Sequence, residues 1–170
     1  MKKILFLFFS VTLSCFAAEI TPANFTLLKT GNFSAAEITE PEAGKLTMQL
    51  TSAAKNNYIV ACHNCNVDVN ADTVLSYTLT PDGKLGDGAQ FTASVCFVKP
   101  GEKKWNNVNA RGTLLFRENK FSYKLTDTFK IPVGSKLRQI KFVFNGMKTP
   151  VGKDIKVTVS NIKLVTPDAK

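Results

Sequence analysis

Apolar and polar residues alternate along much of this chain with a period of two. Residues 140–144 read Ile-Lys-Phe-Val-Phe, and residues 155–160 read Ile-Lys-Val-Thr-Val-Ser. Successive side chains of a β-strand point to opposite faces of the sheet, so the alternation predicts strands with one buried face. Because antiparallel sheets commonly have one face on the core and one in water, the pattern favours antiparallel pairing.

Turn sequences separate the alternating segments. Strands are predicted near residues 25–29, 35–39, 45–51, 58–62, 67–69, 73–80, 89–98, 105–109, 113–117, 121–131, 137–145 and 155–165. Pro81-Asp82-Gly83 and Asn145-Gly146 are typical of the turns that join such strands. No segment of ten or more residues has a helical apolar period. We therefore predict a single all-β domain, built as a two-sheet antiparallel sandwich.

The alternation also predicts the core, because the apolar positions of each strand should face the partner sheet. The residues assigned in this way are Leu46, Met48, Leu50, Leu75, Tyr77, Leu79, Phe91, Ala93, Val95, Phe97, Phe121, Tyr123, Leu125, Phe129, Ile131, Ile140, Phe142, Phe144, Ile155, Val157 and Val159. Most of the aromatic residues thus belong to the predicted core.

The N-terminus has the pattern of a secretory signal peptide. Two lysines precede an apolar run over residues 4–13, and Cys15 and Ala17 occupy the small-residue positions before a cleavage site. This predicts a signal peptide over residues 1–17 and a secreted or periplasmic protein that begins at Ala18. The alternative is a lipid anchor at Cys15, on the outer envelope. The apolar run is too short to cross a bilayer, and no transmembrane segment is predicted.

Charge is distributed unevenly. Residues 18–98 contain 4 basic and 8 acidic residues, a balance of −4, whereas residues 99–170 contain 16 basic and 5 acidic residues, a balance of +11. A basic half can attract acidic polysaccharide, lipid head groups or nucleic acid. The simpler interpretation is a set of solvated lysines that protect strand faces and edges from association. We predict no nucleic-acid partner.

Cys62-His63-Asn64-Cys65 is the sharpest local motif, and it is predicted to lie where a strand meets a short loop. In an exported chain we expect at least one disulfide among Cys62, Cys65 and Cys96, with one thiol left free. The alternatives are a zinc site that combines these cysteines with His63, and a redox-active dithiol. Cys96 has the opposite parity from the core residues of its strand, so it should face outwards.

Trp105 is the single tryptophan, and it lies among polar residues rather than in an alternating apolar run. Sugar rings stack on exposed indoles, while amides and guanidinium groups bind sugar hydroxyls. We therefore predict a shallow ligand-binding surface formed by Trp105, Asn106, Asn107 and Arg111. The alternative is a tryptophan that covers one end of the core.

Six segments, AGKLTMQL, NADTVLSYTLTPDG, FTASVCFV, KFSYKLTDTFKIP, LRQIKFVFNG and IKVTVSNIKL, follow one another over residues 20–165. Their order resembles the galactose-binding-like jelly rolls, specifically carbohydrate-binding modules of families 4 and 9. The resemblance implies a jelly-roll domain over residues 18–165 that binds carbohydrate; residues 166–170 are predicted to form a flexible tail. Such modules often have a final-strand aspartate associated with structural calcium, and this chain has Ser160 there, which weighs against that metal.

Catalysis has little support in the sequence. His63 is the single histidine and stands beside two cysteines, so a Ser-His-Asp arrangement is not predicted. We predict a non-catalytic secreted protein that binds acidic or neutral polysaccharide, without a cofactor. The alternatives are a structural or adhesive envelope subunit that binds protein, and a small polysaccharide-degrading enzyme.

Overall fold

The computed structural model describes residues 16–18, 20, 24–30, 35–51, 58–82, 89–110, 113–114, 118–146 and 150–167. The strands in these ranges are β1 (Phe16–Ala18), β2 (Thr26–Thr30), β3 (Ala35–Glu42), β4 (Lys45–Thr51), β5 (Tyr58–Asp68), β6 (Val74–Pro81), β7 (Gln90–Val98), β8 (Trp105–Asn109), β9 (Thr113–Leu114), β10 (Asn119–Lys124), β11 (Lys136–Asn145) and β12 (Asp154–Thr166). A single helical turn, α1 (Leu125–Thr128), follows β10.

The strands form two antiparallel sheets. Sheet I has the order β10-β6-β12-β4-β3, with β1 paired to the end of β12, and sheet II has the order β2-β5-β11-β7-β8, with β9 paired to β7. Strands that are neighbours in a sheet are mostly distant in sequence, as expected when a chain passes repeatedly between two sheets. The predicted all-β antiparallel jelly-roll sandwich is confirmed.

The core lies between the inner faces of the two sheets. At its centre Phe142 of β11 is fully buried, and its ring centroid lies 5.2 Å from that of Phe25, 5.0 Å from that of Tyr77 and 5.4 Å from that of Phe91. All the predicted core residues are buried except Phe121 and Tyr123, which are partly buried and pack against the core from edge strand β10.

Two strands predicted at 58–62 and 67–69 are one continuous strand, β5. Its partner β11 pairs with it from Asn145 opposite Tyr58 to Lys136 opposite Asp68, with one bulge between Leu137 and Gln139. The segment 62–65 therefore lies within a strand, and the predicted loop at this motif is wrong. The long central strand β11 supplies hydrogen-bond partners for the backbone of residues 62–66, although the polar side chains of this segment suggest the end of a strand.

The predicted strand at 121–131 is also wrong in its second half, because the chain forms α1 after Lys124. Leu125 and Phe129 are both buried, and the Phe129 N–H donates to the Leu125 carbonyl at 3.2 Å. Residues four apart lie on one face of a helical turn as well as on one face of a strand. The apolar spacing therefore predicted correctly that Leu125 and Phe129 are buried, but it predicted a strand where the backbone forms a helical turn.

The first and last described strands pair with each other on sheet I. Phe16–Ala18 pairs with Leu164–Thr166 of β12, and Asn70 Nδ2 donates to the carbonyl of Pro167. Order thus continues through two residues of the predicted 166–170 tail, while residues 168–170 and residues 1–15, including Cys15, lie outside the described residues. In the described part of the chain no helix is long and apolar enough to span a membrane.

Candidate functional site

The outer face of sheet II, which points away from the core, is crossed by rows of polar side chains. Two neighbouring rows run over β5, β11, β7 and β8: Asn64, Gln139, Cys96 and Asn107, and then Cys62, Lys141, Ser94 and Asn109. The strand alternation that buries Phe142 and Val95 places these residues on the opposite side of the same backbone. The face is therefore rich in amides, which can both donate and accept hydrogen bonds.

Asn107 is held by its neighbours on this face. Its Oδ1 accepts hydrogen bonds from Cys96 Sγ at 3.1 Å, Ser94 Oγ at 3.2 Å and Lys141 Nζ at 3.4 Å. Its Nδ2 donates to Asn109 Oδ1 at 3.4 Å. Three donors around the oxygen determine which way the amide points, and one hydrogen of the exposed NH₂ group remains available to a ligand.

Trp105 begins β8, the edge strand of sheet II, opposite Val98 of β7. Its side chain is 53% exposed, so the alternative in which it covers the core is wrong. Alternation along β8 places Trp105 and Asn107 on the same outer face. A large exposed aromatic ring beside a fixed amide is the combination that a sugar-binding surface needs.

Asn106 lies on the other side of β8, opposite Phe97, and its Nδ2 donates to the Lys104 carbonyl at 3.3 Å. Strand alternation thus separates it from Trp105 and Asn107, and its predicted place beside them is corrected. Arg111 lies outside the described residues.

Sequence reasoning missed the polar residues that β5 and β11 contribute to the outer face. Arg138 Nη1 donates to Asn66 Oδ1 at 2.6 Å, and Gln139 Nε2 donates to Asn64 Oδ1 at 2.8 Å. The bulge at Leu137/Gln139 lets two consecutive side chains reach partners on one face. The alternation of Asn64, Asn66 and Asp68 was the available signal, but the pairing with β11 was needed to interpret it.

The predicted disulfide is wrong, because Cys62, Cys65 and Cys96 are all free thiols. β11 separates the strands of Cys62 and Cys96, and the two residues are also offset by two positions along the strands. Ordinary strand geometry then places their Cα atoms about 12 Å apart, whereas a disulfide needs less than ~7 Å. Cys62 and Cys65 are three residues apart in one extended strand, which is about 10 Å. Cys96 faces outwards as predicted and is nevertheless buried beneath its neighbours.

The thiols of β5 lie in surroundings that disfavour the thiolate. Burial raises the pKa of Cys62, and the nearby Lys141 ammonium offsets part of that effect. Burial, reinforced by Cys62, raises the pKa of Cys65 to about 12. Within the described ranges no group of three or more His, Cys, Asp or Glu side chains could hold a metal ion, so the residues of the zinc alternative do not converge there.

We expect Cys65 in the folded protein to resist alkylation by iodoacetamide at pH 8 to 9, because only the thiolate reacts and the raised pKa keeps the thiol protonated. Mass spectrometry of native and urea-unfolded samples should show Cys62, Cys65 and Cys96 modified only after unfolding. Rapid modification of Cys65 in the native sample would contradict the burial described here.

Comparisons with known proteins place this architecture among solved structures. No family model matches the chain, and no curated protein matches it. A chain solved in work on the promiscuous specificity of carbohydrate-binding modules of the β-sandwich superfamily matches 84% of this chain and 57% of its own length, with 13% identity and a TM-score of 0.56. The CBM22-1–GH10 modules of Clostridium thermocellum xylanase 10B, complexed with xylohexaose, match 91% of this chain and 28% of their own length, with 12% identity and a TM-score of 0.51.

The chain has the β-sandwich fold of carbohydrate-binding modules. The predicted resemblance to these modules is thereby confirmed at the level of the fold. This chain spans about half, or less, of the length of the two chains that it matches.

Proposed function

We propose that this protein binds a carbohydrate chain on the outer face of sheet II. The observation that carries the proposal is the exposed Trp105 indole on the same face as the fixed Asn107 amide. The indole offers an apolar surface for the C–H face of a sugar ring, and the amides bind hydroxyl groups with defined direction. The fold shared with carbohydrate-binding modules supports this assignment.

The length of the face suits an extended ligand. One end carries Trp105, Val98, Lys136 and Asp68 in a row, and the other carries Tyr58, Asn145 and Gln90. The nine-residue step along β11 between these rows corresponds to about 30 Å of strand. Trp105 and Tyr58 thus provide aromatic rings at opposite ends, which favours a polysaccharide or oligosaccharide over a single sugar.

We propose a binding role without catalysis. Asp68 is the one carboxylate on the described strands of sheet II, and it forms an ion pair with Lys136 at 2.8 Å. Glycoside hydrolysis commonly uses two carboxylates that flank the scissile bond. His63 is buried with its ring centroid 5.3 Å from that of Phe25, so it does not face this surface.

Positive groups on the face bear on the choice of sugar. Lys141 and Arg138 contact amide oxygens rather than carboxylates in the described structure. We propose that acidic chains are preferred over neutral ones. Affinity for an acidic chain should then fall as ionic strength rises above ~0.15 M, where screening acts within about 8 Å, whereas affinity for a neutral chain should stay constant.

The first experiment is a glycan array with the protein expressed from Phe16 onwards, which retains β1 and its pairing with β12, followed by calorimetry with the best-bound glycan. We expect Asn107→Ala to weaken binding by about tenfold, the usual effect of one lost hydrogen bond together with a released network. Asn106→Ala is the matched control, because it removes the same amide from the opposite side of the same strand. Equal losses of affinity in Asn107→Ala and Asn106→Ala would show that the outer face of sheet II is not the binding surface.

A protein-binding surface subunit is the second candidate function. Edge strand β2 exposes Leu27 by 44% and Leu28 by 52%, and exposed strand edges can add a strand from a partner. A blank glycan array would favour this function if the protein also captures an envelope protein and a Leu28→Lys variant does not.

Export through a signal peptide over residues 1–17 stays a prediction.

A further inference from the structure

A depression lies on the other side of the molecule, on the outer face of sheet I. Its volume is about 230 Å³, and its lining includes Ser76 and Thr78 of β6, Lys120 of β10, and Asn161 and Lys163 of β12. This is below the roughly 300–1,000 Å³ of pockets for drug-sized ligands, so it suits one small group. The core separates it from the outer face of sheet II.

A β-bulge shapes this depression. The register of β12 against β6 shifts between Ser160, opposite Thr78, and Lys163, opposite Ser76. Two residues of β12, Asn161 and Ile162, thus lie opposite one residue of β6. Asn161 has a left-handed backbone conformation with φ 53°, and its Nδ2 donates to Thr78 Oγ1 at 3.3 Å. Bulges redirect side chains, and Asn is one of the few non-glycine residues that adopt the left-handed conformation readily, so the bulge forms here without strain.

The charged residues that line the depression are both lysines. Lys120 and Lys163 approach it from the two strands that flank β6, and no carboxylate is part of its lining. Four other lysines, Lys99, Lys124, Lys136 and Lys156, form ion pairs with carboxylates. Among the described residues, Lys120 and Lys163 have no acidic partner within ion-pair distance. Glu118, two residues before Lys120, instead accepts a hydrogen bond from Thr80 at 3.4 Å.

We propose that this depression binds an oxyanion group, a carboxylate, sulfate or phosphate, through Lys120 and Lys163. The two ammonium groups supply charge-assisted hydrogen bonds, and the Ser76 hydroxyl and Asn161 amide supply neutral donors. The same chemistry is available from a free ion and from a substituent on a sugar ring. The site does not depend on carbohydrate binding at sheet II, so either proposal can fail without the other.

The test is an NMR titration of the ¹⁵N-labelled protein with four probes: sodium sulfate, sodium phosphate, glucuronate and uncharged glucose. We expect the amides of Thr78, Lys120, Asn161 and Lys163 to shift with at least one anionic probe and to stay unchanged with glucose. A response to glucuronate alone assigns the ring-borne source, and a response to the inorganic ions assigns the free one. Absence of shifts with all three anions overturns the proposal.

Variants locate the anion. Lys120→Gln and Lys163→Gln should each weaken binding of the responding probe by roughly tenfold, as for a lost hydrogen bond to a charged group. Lys130→Asn is the matched control: it removes one exposed positive charge elsewhere, at φ 54°, which Asn tolerates. Equal weakening by Lys130→Asn would show that net charge alone attracts the anion and would overturn the site.

Discussion

A Trp105→Ala variant is expected to lose about 2 to 4 kcal/mol of sugar-binding free energy, the range found when an aromatic residue that anchors a ligand is truncated. The indole is 53% exposed and is not among the residues of the buried core, so the melting temperature should stay within a few degrees of the parent value. Calorimetry with the best-bound glycan and a thermal melt followed by circular dichroism measure the two effects separately.

Trp105→Phe is the control for this variant, because it retains an apolar ring that can stack on a sugar. We expect it to recover most of the affinity lost in Trp105→Ala. Unchanged affinity in a folded Trp105→Ala protein would exclude the indole from the binding surface. A collapse of the melting temperature would show that the side chain supports the fold instead.

A Phe142→Ala variant is expected to lose about 3 to 5 kcal/mol of unfolding free energy. Phe142 is fully buried on β11, the central strand of sheet II, and its ring contacts those of Phe25, Tyr77 and Phe91. Removal of the ring loses its transfer free energy and leaves a cavity that both sheets line. Since small domains are stable by only about 5 to 15 kcal/mol, urea denaturation should show a large shift of the midpoint.

Phe121→Ala is the matched control, since it makes the same truncation on edge strand β10, where the side chain is only partly buried. Its loss should be clearly smaller, because less area leaves contact and the site can relax into solvent. Comparable losses for the two variants would mean that the core is not centred on Phe142.

Functional residues were harder to find than core residues. Trp105 and Asn107 could be proposed from composition alone, because an indole among amides stands out in any order. The opposite orientation of Asn106 could not be predicted without the position of β8 in the sheet. Alternation shows that neighbouring residues point to opposite faces, but it does not show which of them faces the core. Arg138 and Gln139 were missed because a bulge, which leaves no reliable mark in the sequence, brings both to one face.

The cysteines show the same division. The sequence indicated that Cys96 faces away from the core, and this is correct, but it gave no information on which strands lie beside β7. Insertion of β11 between β5 and β7 excludes a Cys62–Cys96 bond. Cys96 points outwards and is nevertheless buried, between Gln139 of β11 and Asn107 of β8.

The alternation of single strands, such as 140–144 and 155–160, determined the fold class and the inner-facing residues, because side-chain direction in a strand is a local property with a fixed period. Tertiary structure decided the strand order and the bulges beside Gln139 and at Asn161. It also decided that Trp105 lies on the same face as Asn107, and Lys120 on the same face as Lys163. These features depend on pairing between segments far apart in the chain, which is selected by the packing free energy of the whole sandwich rather than by neighbouring residues.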